Sequence, residues 1–189
     1  MTDSTSPSGK RERLVSSAAA LFHHQGVQRT TLAEVATDAN VPLGNVYYYF
    51  RTKDDLVAAV IGSMEGQFRA MLRDCERKAT PAARLKALAY AWVEMRELLV
   101  NYGCPVGTLN SELGKNVEGS GRQAAGILRL LLDWAEDQFR RISKKEASDH
   151  AVSLIGGLQG AALLTNALRD PNIMTTQVRR LDRWIDSLP

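Results

Sequence analysis

Residues 30–53 read TTLAEVATDANVPLGNVYYYFRTK, and this stretch carries the strongest local signals in the chain. Thr31 followed by Glu34 has the spacing of a capping box, in which each side chain satisfies a free backbone N–H at the start of a helix. Asn40 tolerates left-handed backbone better than most residues, so it is predicted to form the turn that ends this helix. The Val-Pro dipeptide after it presets the backbone for a second helix at residues 43–49. Two short helices joined by a tight turn indicate a helix-turn-helix unit.

The second of these helices is predicted to turn aromatic and polar side chains outward. Val46 and Phe50 are four residues apart and should face inward, while their neighbours face solvent. The alternative is that the three tyrosines at 47–49 are core residues, but consecutive helical positions spread over too wide an arc for all three to be buried. We therefore expect this helix to contact DNA. The residues predicted to contact DNA are Lys10, Arg11, Thr31, Leu43, Gly44, Asn45, Tyr47, Tyr48, Tyr49 and Lys53.

Position suggests a role for several of these residues. Leu43 and Asn45 begin the second helix and should lie deepest in the major groove, where Asn pairs with a base edge and Leu meets a thymine methyl. Gly44 between them permits close approach. Thr31 is a candidate phosphate contact, because the start of a helix binds anions. Lys53 is predicted to hold a phosphate at the start of the next long helix.

The stretch ALFHHQGVQRTTLAEVATDANVPLGNVYYYFRTKDDL resembles the N-terminal DNA-binding domain of TetR-family transcriptional regulators. The resemblance covers about residues 10–57. The family usually has Tyr-x-His-Phe followed by a basic residue, and here Tyr49 replaces the histidine. The resemblance implies a homodimer, most often a repressor, that inserts one helix from each subunit into successive major grooves of a pseudo-palindromic operator.

Composition limits the other possibilities. The chain has 189 residues, of which 44% are hydrophobic, and a formal net charge of +3, which permits an anionic partner. No apolar run reaches the length of a membrane helix and no signal peptide is evident, so a cytoplasmic protein without a membrane partner is expected. No GxSxG motif, paired carboxylates or metal-ligand cluster occurs, and the neighbouring His23 and His24 point to different sides of a helix. An enzyme, a cofactor and a metal site are therefore not expected.

The predicted fold is all-α, with about nine helices. Residues 1–9 are predicted to be a disordered arm, 10–53 the helix-turn-helix domain, and 54–189 a helical effector-binding and dimerisation domain. One helix is predicted for 80–101 and a loop for 116–120. A capping box from Ser143 to Glu146 is predicted to open the eighth helix, 144–169, followed by a ninth at 173–188. This hydrophobic pair is expected to form a homodimer interface, the alternative being burial within one chain.

The helical domain is expected to bind a small, mainly apolar effector. The lining residues proposed from the sequence are Met64, Phe68, Trp92, Met95, Cys104, Leu109, Leu131 and Trp134. Residues 103–114, GCPVGTLNSELG, resemble a subset of TetR-like regulators with Cys-Pro-hydrophobic-Gly here, some of which are thought of as electrophile or redox sensors. Cys104 near a helix start would have a lowered thiol pKa if the thiol lay within the first turn. The alternatives are that Cys104 is a packing residue, and that the chain is a DNA-binding or adaptor protein without ligand control.

Overall fold

The computed structural model describes residues 7–114 and 119–189, which form ten α-helices and no strand within those ranges. The predicted all-α fold is confirmed. The helices are α1 (Pro7–Gln25), α2 (Leu32–Asp38), α3 (Leu43–Tyr49), α4 (Lys53–Glu76), α5 (Pro81–Glu94), α6 (Arg96–Tyr102), α7 (Pro105–Leu113), α8 (Ser120–Ile142), α9 (Ala147–Leu168) and α10 (Asn172–Asp186).

The chain divides into two compact units. The first comprises the described parts of Met1–Gly66 and Thr108–Ala125. Its core is apolar, because one face of each short helix turns inward. Gly26 ends α1 with φ 89°, and its N–H donates to the Phe22 carbonyl oxygen at 3.0 Å. The buried side chains of this core include Leu14, Ala18, Phe22, Val35, Val46, Phe50 and Leu56.

The second unit comprises Gln67–Gly107 and Gly126–Pro189. Within it α9 packs against α6 and α10, and α10 packs against α5. Lys86 on α5 forms ion pairs with Asp182 at 3.3 Å and Asp186 at 2.6 Å on α10. The fully buried residues of this core include Leu85, Leu88, Trp92, Leu131, Leu154 and Leu158.

Helix α9 has two different faces. One face is buried and includes Leu154, Leu158 and Thr165, while the other exposes Leu163 and Leu168. By length and composition alone α9 could cross a membrane, which the sequence had not led us to expect. Such a helix is weak evidence of a membrane span, because the core helix of a soluble protein has the same composition.

The predicted N-terminal arm is wrong for its last residues. Helix α1 begins at Pro7 rather than at residue 10. Proline is favoured in the first turn of a helix, because its fixed φ suits the helix and its missing N–H has no partner there anyway. Residues 1–6 of the predicted arm lie outside the described residues, as do 116–118 of the predicted loop.

The single helix predicted for 80–101 is also wrong. Thr80 caps α5 as expected, accepting a hydrogen bond from the Ala83 N–H at 3.1 Å. The helix stops at Met95, where φ −90° and ψ 4° depart from helical values, and α6 starts at Arg96. The apolar pattern runs across this break, so helical periodicity could not reveal it.

The capping box predicted for Ser143 and Glu146 does not form. Glu146 has φ 60° and makes no side-chain cap hydrogen bond to α9. Ser143 still belongs to the end of α8, because its N–H donates to the Phe139 carbonyl oxygen at 2.8 Å. The helix therefore begins at Ala147, three residues later than predicted.

Candidate nucleic-acid interface

The start of α2 is fixed by the predicted capping box. The Glu34 N–H donates to Thr31 Oγ1 at 3.2 Å, and the Thr31 N–H donates to Glu34 Oε2 at 2.7 Å. The hydrogen bond from the Thr31 backbone is the main reason that the pKa of Glu34 is lowered. The prediction is confirmed, and the same contact occupies the Thr31 hydroxyl, which also donates to Glu34 Oε2 at 2.9 Å.

The turn between α2 and α3 is built on Asn40. Its φ of 50° confirms the predicted left-handed residue. The next residue, Val41, is buried, and its N–H donates to the Ala36 carbonyl oxygen at 2.9 Å. From α1, Arg13 Nε donates to the Ala39 carbonyl oxygen at 3.1 Å. The turn is thus held from both α1 and α2, which fixes where α3 begins.

Helix α3 has one anchored side and one open side. Val46 and Phe50 are buried, as predicted, and hold the helix against the first unit's core. Tyr47 is 54% exposed and Tyr48 is 81% exposed. Large aromatic rings are unfavourably exposed to water here, and a partner surface that covered them would remove this apolar area from water.

The first residues of α3 are also open. Leu43 is 41% exposed, Gly44 is exposed, and Asn45 is half-buried. A Cβ placed on Gly44 would meet no heavy atom within 4 Å. The residues predicted to read bases, Leu43, Gly44 and Asn45, are therefore at least partly accessible at the start of α3, and Tyr47 and Tyr48 are exposed in the same helix.

The three basic residues predicted to contact DNA differ in their exposure and in their contacts within the protein. Arg11 is exposed, with its guanidinium carbon 5.3 Å from the centre of the Phe50 ring. Lys10 is half-buried on α1. Lys53 is half-buried at the first residue of α4, where its Nζ donates to the Gln28 carbonyl oxygen at 3.1 Å. Lys53 therefore holds the loop before α2 as well as lying where a phosphate contact was predicted.

Two exposed cations near this stretch count toward its basic charge but are not among the predicted DNA contacts. Arg29 lies in the loop before α2, and Arg51 lies two residues after the end of α3. Their signal was simple proximity in sequence to the helix-turn-helix stretch. Sequence reasoning also missed a second reciprocal cap at the start of α4, where the Asp55 N–H donates to Thr52 Oγ1 at 3.1 Å and the Thr52 N–H donates to Asp55 Oδ2 at 3.0 Å.

The residues predicted to line an effector site do not all fall in one unit. Met64 and Leu109 belong to the first unit, and the other six belong to the second. In the second unit the Phe68 and Trp92 rings lie 6.2 Å apart, and Trp134 Nε1 donates to Glu76 Oε1 at 3.0 Å. Trp92 and Leu131 are fully buried, while Phe68, Met95 and Trp134 are half-buried.

Cys104 departs from its predicted chemistry. It precedes α7, as expected, but it is only 6% exposed. Burial raises the pKa of its thiol, and hydrogen bonds with the Gly107 backbone, the Gln159 side chain and the Val106 backbone offset this only in part. The predicted lowering of the pKa is wrong, because the loss of solvent outweighs the helix start.

Together the capped α2, the left-handed turn and the open side of α3 define a helix-turn-helix DNA-binding protein. Residues 14–60 match the profile of the family described as bacterial regulatory proteins, tetR family. Over 169 residues the chain is 30% identical to the HTH-type transcriptional regulator LmrA of Bacillus subtilis (strain 168), covering 82% of this chain and 85% of LmrA. The chain therefore belongs to the TetR family of transcriptional regulators, as the sequence resemblance implied.

Solved structures show the same fold at lower identity. SCO4454, a TetR-family transcriptional regulator from Streptomyces coelicolor, is 18% identical, with a TM-score of 0.86 and 96% of each chain covered. FadR from Bacillus subtilis, in complex with stearoyl-CoA, is 17% identical, with a TM-score of 0.70 and 93% of this chain and 97% of FadR covered. The relatives are transcriptional regulators, so the prediction of a DNA-binding regulator rather than an enzyme is confirmed.

Proposed function

We propose that this chain is a homodimeric cytoplasmic repressor that binds a pseudo-palindromic operator through α3 and leaves it when a small, mainly apolar molecule binds. The observation that carries the proposal is the contrast between the two sides of α3. Val46 and Phe50 anchor it, while Leu43, Tyr47 and Tyr48 stand in solvent. An anchored helix with an open reading side suits insertion into a major groove.

Each of the exposed residues has a defined task in this proposal. Asn45 pairs with a base edge, Leu43 contacts a thymine methyl, and Gly44 lets the backbone come close to the bases. The hydroxyls of Tyr47, Tyr48 and Tyr49 bind sugar and phosphate. Further phosphate contacts come from Lys10, Arg11 and Lys53. Thr31 contributes through the start of α2, because the backbone N–H groups of a helix's first turn attract an anion.

Dimerisation is assigned to α9 and α10. The outer face of α9 carries Leu163, which is 69% exposed, together with exposed Val152, Leu164 and Leu168. These residues and the open glycines Gly156 and Gly160 share one side of the helix. Small residues allow close approach of a partner helix, and the leucines supply the apolar area that an isologous interface buries.

The contribution of α10 to the dimer is expected to come from its first turns. A groove of about 440 Å³ lies between the outer face of α9 and the residues from Asp170 to Gln177. Farther along, the outer side of α10 carries Arg179, Arg180 and Arg183, all exposed. Because like charges would face one another across a two-fold axis, that basic end is expected at the rim of the interface.

The effector is assigned to the second unit, around Trp92. Trp92 is fully buried beside Phe68, and its Nε1 has no hydrogen-bond partner within the part of the chain that the structure describes. Such a site suits an apolar or aromatic molecule carrying one hydrogen-bond acceptor. The stearoyl-CoA complex of FadR is a precedent for a ligand with a long apolar part in this fold. A coupling of about 1–3 kcal/mol between ligand and operator suffices for induction.

Covalent sensing at Cys104 is less favoured than this non-covalent effector. The thiolate is the reactive form of cysteine, and burial has raised the pKa of this thiol. Release of DNA by an electrophile or oxidant would first require Cys104 to become accessible. Loss of oxidant sensitivity in Cys104→Ser, with normal sensitivity in wild type, would reverse this order of preference.

The proposal is tested by repression in cells. A reporter is placed behind the DNA upstream of the protein's own gene and is measured with wild-type protein and with Tyr48→Ala. We expect low expression with wild type and high expression with the variant. Equal expression in both, or higher expression with wild type, contradicts a repressor. Footprinting of the same DNA should protect two symmetric half-sites about one helical turn apart.

A further inference from the structure

The loop between α1 and α2 holds a carboxylate from a distant part of the first unit. Glu112 lies on α7, and its Oε2 accepts a hydrogen bond from the Val27 N–H at 2.8 Å. Its Oε1 accepts one from the Gln28 N–H at 2.7 Å. Two successive backbone N–H groups that converge on one anion form a nest, and such charge-assisted bonds are stronger than neutral ones.

Gly26 makes this arrangement possible. Its φ of 89° turns the chain so that the next two N–H groups point the same way. A Cβ on Gly26 would lie 3.1 Å from Glu112 Oε1 and 3.2 Å from Glu112 Oε2, so the glycine also leaves room for the carboxylate. The backbone at Gly26 therefore has both the conformation and the space that the Glu112 carboxylate requires.

The loop that Glu112 holds leads directly to two proposed phosphate contacts. Thr30 Oγ1 donates to the Gly26 carbonyl oxygen at 2.8 Å, and the next residue, Thr31, caps α2. On the other side, the Gln28 carbonyl oxygen accepts the bond from Lys53 Nζ. Moving Val27 and Gln28 would therefore move both the start of α2 and the lysine at the start of α4.

Helix α7 is itself fixed where it carries Glu112. Leu109 is buried, and Asn110 Nδ2 donates to the Ala124 carbonyl oxygen at 3.1 Å near the start of α8. The carboxylate is thus presented by an anchored helix rather than by a free side chain on a loop.

We propose that Glu112 is a positioning residue for operator binding: its carboxylate fixes residues 26–30 so that the backbone N–H groups at the start of α2, which Thr31 caps, and Lys53 reach the DNA backbone together. This inference rests on the proposed function of the α2–α3 surface. It also predicts a change in DNA affinity opposite to the one that net charge alone would give. Removing a negative charge from a DNA-binding protein should tighten binding, whereas loss of the positioning contact should weaken it.

Glu112→Gln tests this, because it keeps the shape of the side chain. Its single amide oxygen can accept from one N–H, and its NH₂ group then faces the other N–H donor to donor. The matched control is Glu94→Gln, which makes the same change in charge at an exposed glutamate on α5. The DNA probe is a duplex selected by the wild-type protein from a random-sequence pool.

We expect Glu112→Gln to bind this duplex roughly tenfold more weakly than wild type, since one to two charge-assisted hydrogen bonds are lost. Amide hydrogen exchange at Val27 and Gln28 should become faster. Glu94→Gln should change neither measurement. Binding by folded Glu112→Gln that equals or exceeds wild type overturns the proposal, as does weaker binding with unchanged exchange at those two amides.

Two further measurements keep the outcome decisive. If Glu112→Gln does not fold, Glu112→Asp keeps the charge on a shorter side chain and should show weaker binding with faster exchange at Val27 and Gln28. Wild-type affinity in a folded Glu112→Asp would then overturn the proposal. If wild-type protein selects no duplex at all, the proposed function fails, whereas wild-type selection with undiminished variant binding refutes the role of Glu112 alone.

Discussion

The rings of Tyr48 and Tyr49 meet edge to face, with centroids 5.0 Å apart and an angle of 87° between their planes. Tyr48 is exposed, whereas Tyr49 is half-buried. Edge-to-face contact restrains an aromatic ring that would otherwise rotate freely in solvent. Tyr49 stands where the family usually has histidine, so this departure from the family pattern supports the neighbouring ring.

Replacing Tyr48 by Ala, or Asn45 by Ala, should weaken operator binding without unfolding the protein. Each change removes an accessible side chain, so its effect on stability should be within about 0.5 kcal/mol. We expect operator affinity to fall by about 10- to 100-fold for Asn45→Ala, the value of a good base contact. Fluorescence anisotropy with a labelled operator measures the affinity, and sedimentation checks that the dimer persists.

The control for Tyr48→Ala is Tyr90→Ala, which removes an exposed tyrosine on α5. It should bind operator like wild type. Wild-type affinity in Tyr48→Ala, or equal losses in both tyrosine variants, would refute the role assigned to α3.

Gly44→Ala should separate stability from DNA binding. A methyl group at Gly44 meets nothing within 4 Å, and Ala is favoured over Gly in a helix by up to about 1 kcal/mol. The melting temperature should therefore stay level or rise. Operator binding should weaken, because the methyl group occupies the side of α3 that approaches the bases.

Gly62→Ala is the matched control, since a methyl group there also meets nothing within 4 Å. It lies inside α4 and should raise stability while leaving DNA affinity unchanged. If Gly44→Ala binds operator as tightly as Gly62→Ala, the backbone at residue 44 does not approach the DNA closely.

Leu163→Glu should split the dimer. It places a charge on the outer face of α9, where burial of an unpaired carboxylate is costly. Sedimentation equilibrium should give the 20.8 kDa mass of one chain for the variant and twice that for wild type. Leu98→Glu, at an exposed leucine of α6, should remain dimeric. A dimeric Leu163→Glu would move the interface away from this face.

Alkaline pH should destabilise the protein through Cys104. Burial raises its pKa above the ordinary value of 9.0, so the folded protein keeps a proton that the unfolded chain releases. Stability is therefore complete below pH 9 and falls as the pH rises above it, approaching about 1.4 kcal/mol per pH unit until the folded thiol also ionises.

The measurement is urea unfolding of wild type and Cys104→Ser across this pH range. Cys75, whose pKa is also raised by burial, is present in both proteins and cancels from the difference. Wild type should lose stability relative to the variant above pH 9. Parallel curves would mean that the Cys104 thiol is solvated in the folded protein.

Local signals made the DNA-binding end predictable. The Thr31–Glu34 box and the Asn40 turn depend on residues within a few positions of one another, and both formed as expected. The capping box predicted at Ser143 had the same spacing but did not form, because the Ser143 N–H hydrogen-bonds to the end of α8. The spacing of a four-residue motif does not show whether its first residue caps the following helix or extends the end of the preceding one.

Contacts between distant residues had no such signal. Glu112 reaches Gln28 across a sequence separation of 84 residues, and nothing near either residue indicates the pairing. The predicted direction of the Cys104 pKa shift was wrong for a related reason. The burial of Cys104 depends on packing within the second unit rather than on its position before α7. The effector site remains a prediction on the same ground.

The central claim is sequence-specific operator recognition by α3, and a salt titration of DNA affinity tests it most directly. The dissociation constant is measured for the selected duplex and for a scrambled duplex of equal length and composition. Both should weaken as salt rises, because phosphate contacts release counterions. The selected duplex should remain about 1,000-fold or more tighter at physiological salt. Equal affinities for the two duplexes would contradict the account.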